Sequence, residues 1–151
     1  MVNLYDKDFV AWSDEQSLLL EQERYGELDL MNLIEEVRDL GRRERDAIES
    51  QLTRLLMHLL KWQYQPEYQG SSWEVSVKDA RKQIKRLLEK YPVLAKHIRD
   101  ENVFYVCYRH AVEDAVDETG LAVDKFPKAC PYNLQTEILN SVFLPGKSEP
   151  L

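Results

Sequence analysis

From residue 29 to 63 the chain reads DLMNLIEEVRDLGRRERDAIESQLTRLLMHLLKWQ and repeats apolar positions at helical spacing without losing phase. Leu30, Val37, Glu44, Gln51 and His58 drift by only about 20° per heptad, and Ile34, Gly41, Ile48, Leu55 and Trp62 run beside them. The pattern predicts one helix, continuous or kinked, with Gly41 as its weak point because glycine costs roughly 1 kcal/mol relative to alanine inside a helix. Three polar residues, Glu44, Gln51 and His58, interrupt the inward stripe. They are expected to form a polar seam hydrogen-bonded to other helices, since a buried polar group needs a partner.

The flanking elements follow from caps and breakers. Asp6 is expected to cap a first helix with Phe9, Trp12, Gln16, Leu19 and Leu20 inward, ending near Gly26; Asp29 is expected to cap the long one. Pro66 and the loop PEYQGSS end it. Ser71 and Glu74 read as a capping box for a third helix carrying Trp73, Val77, Ala80, Ile84, Leu87 and Tyr91 on its inner face. A further helix is expected from Pro92, split at Asp100, then one from Val103 to Thr119 with Gly120 as its left-handed terminator. Asn133 can cap a last short helix from Leu134 to about Ser141. The chain is thus expected to be all-α, five or six helices built on one long central helix, a single domain of 151 residues with a flexible tail from about residue 145.

Length adds a constraint. Thirty-five helical residues span about 50 Å, whereas a compact domain of this size is about 40 Å across, so the helix is expected to kink, protrude or pair with another. Gly41 would let a second backbone approach closely.

Composition narrows the class. Hydrophobic residues make up 44% and charged residues 31%, with five Gly and six Pro, the profile of a helical globule. No apolar run approaches the roughly 20 residues of a membrane span, and the N-terminus lacks a signal-peptide layout, so a cytoplasmic protein with no membrane partner is expected. Cys107 and Cys130 are then expected as reduced thiols. The net charge is −7, but residues 78 to 99 carry eight basic side chains against Asp79 and Glu89. This basic face, with Lys78, Arg81, Lys82, Lys85 and Arg86, is read as a solvated helix surface. An acidic body repels nucleic acid at long range, and no such partner is expected at physiological salt.

Candidate chemistry is sparse. None of His58, His97 and His110 is preceded by Glu at the three-residue spacing of a di-iron bundle, and Glu35 and Glu36 point about 100° apart on one helix, so a site built from them with Glu44 and His58 is not expected. No metal or other cofactor is expected. Arg54 and His58 share a helix face with Lys61 nearby, a layout able to hold a phosphate beside a base, with Glu44 as a further weak candidate. The competing reading has Arg54 paired to an acidic residue of another helix and His58 in a polar layer. Neither cysteine sits in a nucleophile pattern, and the isolated glycines exclude a phosphate-binding loop. Trp62, Tyr64, Tyr68 and Trp73 surround Pro66 and either close the core or form a contact patch.

Several segments carry a resemblance: YDKDFVAW, LDLMNLIEEVRDLGRRER, ESQLTRLLMHLLKWQYQP, SSW at 71 to 73, ETGL at 118 to 121, FPKACPY and FLP. Together they resemble the bacterial, largely cyanobacterial, twenty-ninth domain-of-unknown-function family over nearly the whole chain. The resemblance implies a small stand-alone α-helical protein and transfers no catalytic residue. Two functions are therefore weighed: a non-catalytic interaction or oligomerising module, pairing as a homodimer or with a protein partner, and alternatively a phosphodiesterase or RNA nuclease using Arg54 and His58. Whether the chain is an enzyme stays open at this level, since one base and two cations are too few for a complete site.

Overall fold

The computed structural model describes residues 3–146, and every regular element among them is helical. Seven α-helices occur in order: α1 (Leu4–Lys7), α2 (Phe9–Glu21), α3 (Leu30–Leu40), α4 (Arg42–Tyr64), α5 (Ser71–Lys90), α6 (Leu94–Arg99) and α7 (Glu101–Thr119). A π-helical turn, Leu134–Ile138, follows. They group into two compact units, Met1–Arg43 and Glu44–Leu151. Pro145 is buried, and most of the tail expected from about residue 145, residues 147–151, lies outside the described part.

The expected long helix is present with a break of a single residue. Gly41 stands between α3 and α4 with φ −94° and ψ −1°, a backbone still in the helical region, so the interruption is local. The count of seven exceeds five or six for this reason and because α1 precedes the first expected helix. Its cap differs too. Asp8, extended at φ −148°, starts α2 by accepting from the Ala11 amide at 3.0 Å, while Asp6 lies inside α1. The proposed Ser71 box is also not formed: Gly70 is the fully extended residue, so the helix starts one position earlier and Ser71 is already within it. Asp100 caps α7 through the Asn102 and Val103 amides, Gly120 ends it at φ 73°, and Asn133 caps the π-helical turn, which stops at Ile138 rather than near Ser141.

In the C-terminal unit α4 is the axis. Every residue from Leu55 to Trp62 is buried, which is the signature of a helix covered on all sides. Helix α5 covers it with Val77, Ala80 and Ile84, and α7 with Cys107, Tyr108, Ala111, Val112 and Ala115. The remaining side is closed by the segment after α7: the Tyr132 hydroxyl donates to the Leu59 carbonyl at 3.2 Å and lies 2.6 Å from Gln63 Oε1. Tyr64 meets Phe126 edge-on at 5.4 Å.

The N-terminal unit is built differently. Trp12, Gln16 and Leu19 of α2 are buried, but the expected inward Phe9 and Leu20 are about half exposed. The indole of Trp12 donates to Asp29 at 3.0 Å, the Asp29 amide donates to Gln16 at 2.8 Å, and the Tyr5 hydroxyl donates to Glu36. Asp29 thus starts α3 without capping it through its side chain. All these contacts fall on the polar side of α3. Its apolar arc, Leu30, Ile34, Val37 and Leu40, is left 49% to 77% exposed, so the stripe that was expected inward along its whole length is inward only from Ile48 onward.

Truncation should separate the two kinds of position. Leu59→Ala, at a fully buried site, is expected to cost about 2–5 kcal/mol, and Val75→Ala on the exposed side of α5 about 0.5 kcal/mol or less, read from urea denaturation followed by circular dichroism. Equal losses would contradict the placement of α4 at the axis.

Candidate functional site

Three residues of one α4 face, Arg54, His58 and Lys61, come together with α5 and α7 as their spacing requires. The Arg54 guanidinium donates to Asp79 of α5 at 2.8 Å and to Gln51 Oε1 of its own helix at 3.3 Å. That contact holds the Asp79 carboxyl below its usual range. Lys61 is buried, with its ammonium 3.6 Å from Glu118 of α7 and 4.7 Å from the centre of the Trp73 ring. Asp79, Glu118 and the burial of Lys61 are partners that no sequence spacing announced.

His58 lies between those two cations and is only 9% exposed, with no hydrogen-bond partner for Nδ1 among the described residues. Burial, then the charge of Lys61, push its pKa down to about 4, with Glu118 opposing and Arg54 assisting. The ring is therefore neutral at pH 7 and a weak base. Glu44 and Gln51 do not complete a seam with it. Both are part-buried, but among the described residues the Glu44 side chain makes no hydrogen bond and the Gln51 side chain accepts only from Arg54, because the polar partners from α5 and α7 are aimed at Arg54 and Lys61 instead.

Beside this row an open groove of about 780 Å³ runs between α4 and α7, lined by Asp46, Glu49, Arg54, Cys107, His110 and Asp114 among others. Burial raises the Cys107 thiol above its ordinary pKa, and its Sγ sits 3.8 Å from the Glu49 carbonyl, so it is a core thiol rather than a nucleophile. Asp114 is raised by burial and by its acidic neighbours, Glu118 first. His97 approaches Glu49 at 3.5 Å. Among the described residues no three His, Cys, Asp or Glu side chains come together as a metal cluster.

The aromatic group around Pro66 divides. Trp62 is buried and Tyr64 packs on Phe126, Trp73 lies under Lys61, and only Tyr68 is exposed, so the four do not form one contact patch. The basic face divides as well. Lys78, Lys82, Lys85 and Arg86 are exposed, but Arg81 is buried, which corrects its reading as a solvated side chain. Its guanidinium donates to the carbonyls of Ile138 at 2.8 Å, Phe143 at 2.7 Å and Glu137 at 3.3 Å, tying the end of the chain to α5. Desolvation lowers its pKa to about 10, which leaves it charged. The signal was in the spacing: Arg81 lies four residues after Val77 and three before Ile84, on the flank of the inner face.

Two measurements check this geometry. Between pH 6.5 and 4 the unfolded chain takes up a proton at His58 that the folded chain refuses, so stability falls as pH falls through that window and is unaffected by this ring above it. From pH 7 to pH 5 the wild type should lose on the order of 1–2 kcal/mol more than His58→Gln, by urea denaturation at both values. An identical loss would show that the ring titrates normally. Glu44→Ala, with no side-chain hydrogen bond to break, should cost about 1 kcal/mol or less in urea denaturation, and a larger loss would restore the seam.

Among the described residues no helix is long and apolar enough to cross a membrane. No curated protein and no solved structure gives a match to the chain. The family model described as "Domain of unknown function DUF29" matches residues 4–144, the span that holds all seven helices, the Arg54–Lys61 row and the Arg81 anchor, and the chain belongs to that family.

Proposed function

We propose that the chain is a non-catalytic helical interaction module that pairs with a second copy of itself through the apolar face of α3. The observation that supports this most directly is the inverted burial of that helix. Leu30, Ile34, Val37 and Leu40 cover an arc of about 120° in which these four are exposed and Leu33 is part-buried, and Met31 beside them is 83% exposed. Together they present on the order of 600 Å² of surface, at the top of the roughly 300–600 Å² of the largest apolar patch on a typical monomer and somewhat below the roughly 800 Å² per partner of a stable interface. Solvent penalises such a face by roughly 25 cal/mol per Å².

A second copy fits the face for two reasons. An apolar helical arc is complementary to itself under a two-fold axis, the commonest symmetry of soluble oligomers. Glu35 and Arg38, which lie 3.4 Å apart on one flank, would in an antiparallel pair meet the opposite charges of the partner's flank. Gly41 falls on the same arc and removes a side chain where the backbones would approach.

The alternative, phosphodiester cleavage by Arg54 and His58, asks for a base that exchanges protons near neutral pH and a cation free to bind phosphate. A ring held near pKa 4 and a guanidinium bound to Asp79 suit neither role.

Sedimentation at micromolar concentration is the test. The wild type is expected at twice its 17.8 kDa chain mass, and Ile34→Glu with Val37→Glu at the monomer mass with an unchanged helical spectrum. A wild type that sediments as a monomer would end the proposal, as would a charged double variant that still dimerises.

A further inference from the structure

Within the C-terminal unit, apart from the Arg54–Lys61 row, the basic side of α5 forms the wall of a half-open cavity of about 560 Å³. Its floor is apolar, supplied by Ile84, Leu88 and Leu139, and its rim carries Lys78, Lys82 and Lys85. The opposite wall, at Leu139 and Ser141, belongs to the segment whose carbonyls at 137, 138 and 143 are held by Arg81. The same buried cation therefore builds the cavity and charges it from beneath.

The electrostatics of the cavity are one-sided. Four cations face one carboxylate, Glu89, in a chain whose net charge is −7. Among the described residues none of Lys78, Lys82 and Lys85 comes within ion-pair distance of a carboxylate, although the charge of Lys82 acts on Asp79 at the side of the helix, and Arg81 is satisfied by backbone carbonyls alone, with no acidic counter-charge. Buried charges are ordinarily paired, and like charges at i,i+4, as in Lys78 with Lys82 and Arg81 with Lys85, repel along a helix. An anion at the rim would relieve both. The volume lies within the range of roughly 300–1,000 Å³ typical of small-molecule sites, where an apolar lining holds the body of a ligand and a few polar groups orient it.

We infer that this cavity between α5 and the Arg81-held segment binds a small dissolved amphiphilic anion, with a phosphate or carboxylate head at Lys78, Lys82 and Lys85 and an aliphatic or aryl body against Ile84, Leu88 and Leu139. Concavity favours a single dissolved molecule over a membrane. A flat bilayer surface would meet the lysines but leave the apolar floor empty.

The experiment is a titration of the full chain with octyl phosphate, inorganic phosphate, octanol and phosphatidylserine-containing vesicles, followed by calorimetry and by amide chemical shifts. Octyl phosphate is expected to bind roughly tenfold or more tightly than inorganic phosphate, with octanol and the vesicles showing no binding and with shifts gathered at residues 78–89 and 139–141. Lys82→Gln with Lys85→Gln, both at exposed positions, should weaken octyl phosphate by about tenfold, Leu139→Asn similarly, and Lys96→Gln not at all. The inference is overturned by any of four results: no binding of octyl phosphate up to about 1 mM, equal binding of inorganic phosphate, binding to vesicles instead, or unchanged affinity in the double lysine variant.

Discussion

The all-round burial of α4 between Leu55 and Trp62 is the constraint on which the C-terminal unit depends. A helix enclosed on every side must answer each polar group it carries, and this one carries His58 and Lys61 at enclosed positions. Lys61 is answered twice, by Glu118 and by the face of Trp73. His58 is answered by losing its charge, since a neutral imidazole is much cheaper to bury than an imidazolium. Enclosure also explains why the segment after α7, largely irregular, is nonetheless ordered onto the fold: Tyr132 reaches the Leu59 carbonyl and Gln63, and in doing so closes the side that α5 and α7 leave open.

Arg81 performs the equivalent task from the opposite helix. A π-helical turn ends with carbonyls that have no partner within the turn, and a single guanidinium, with its donors fixed in a plane, can serve two of them, at Glu137 and Ile138, together with the Phe143 carbonyl beyond the turn. Lysine could not, because its ammonium is a point charge without that fork. The consequence reaches the surface: by pinning residues 137 to 143 against α5, Arg81 turns what would be an open row of lysines into the wall of a cavity with an apolar floor.

The N-terminal unit obeys the same rules with the opposite outcome. Its few strong contacts, Trp12 and Gln16 to Asp29 and Tyr5 to Glu36, are polar, and hydrogen bonds with defined geometry orient α3 more specifically than a small amount of apolar area could. The apolar arc is turned outward as a result. An exposed face of that kind is what an interaction module requires, and it is an energetic liability in a chain that acts alone.

Helical periodicity and punctuation were legible in the amino-acid order. The all-α class, the stops near Pro66 and Gly120, the split at Asp100, the cap at Asn133, and the inner residues Val77, Ala80, Ile84, Cys107 and Ala111 all follow from local rules, because a helix repeats every 3.6 residues whatever it packs against. What the stripe faces does not follow. From Leu30 to Trp62 the pattern is in phase, yet its first third is solvated and its last third enclosed, since phase records which residues share a side and not whether another element covers it. The same limit applies to charge. Arg54, Lys61 and Arg81 look alike in sequence, but one is tied to Asp79, one to Glu118 and Trp73, and one to three backbone carbonyls, partners 12 to 62 residues away that only the tertiary fold brings within reach.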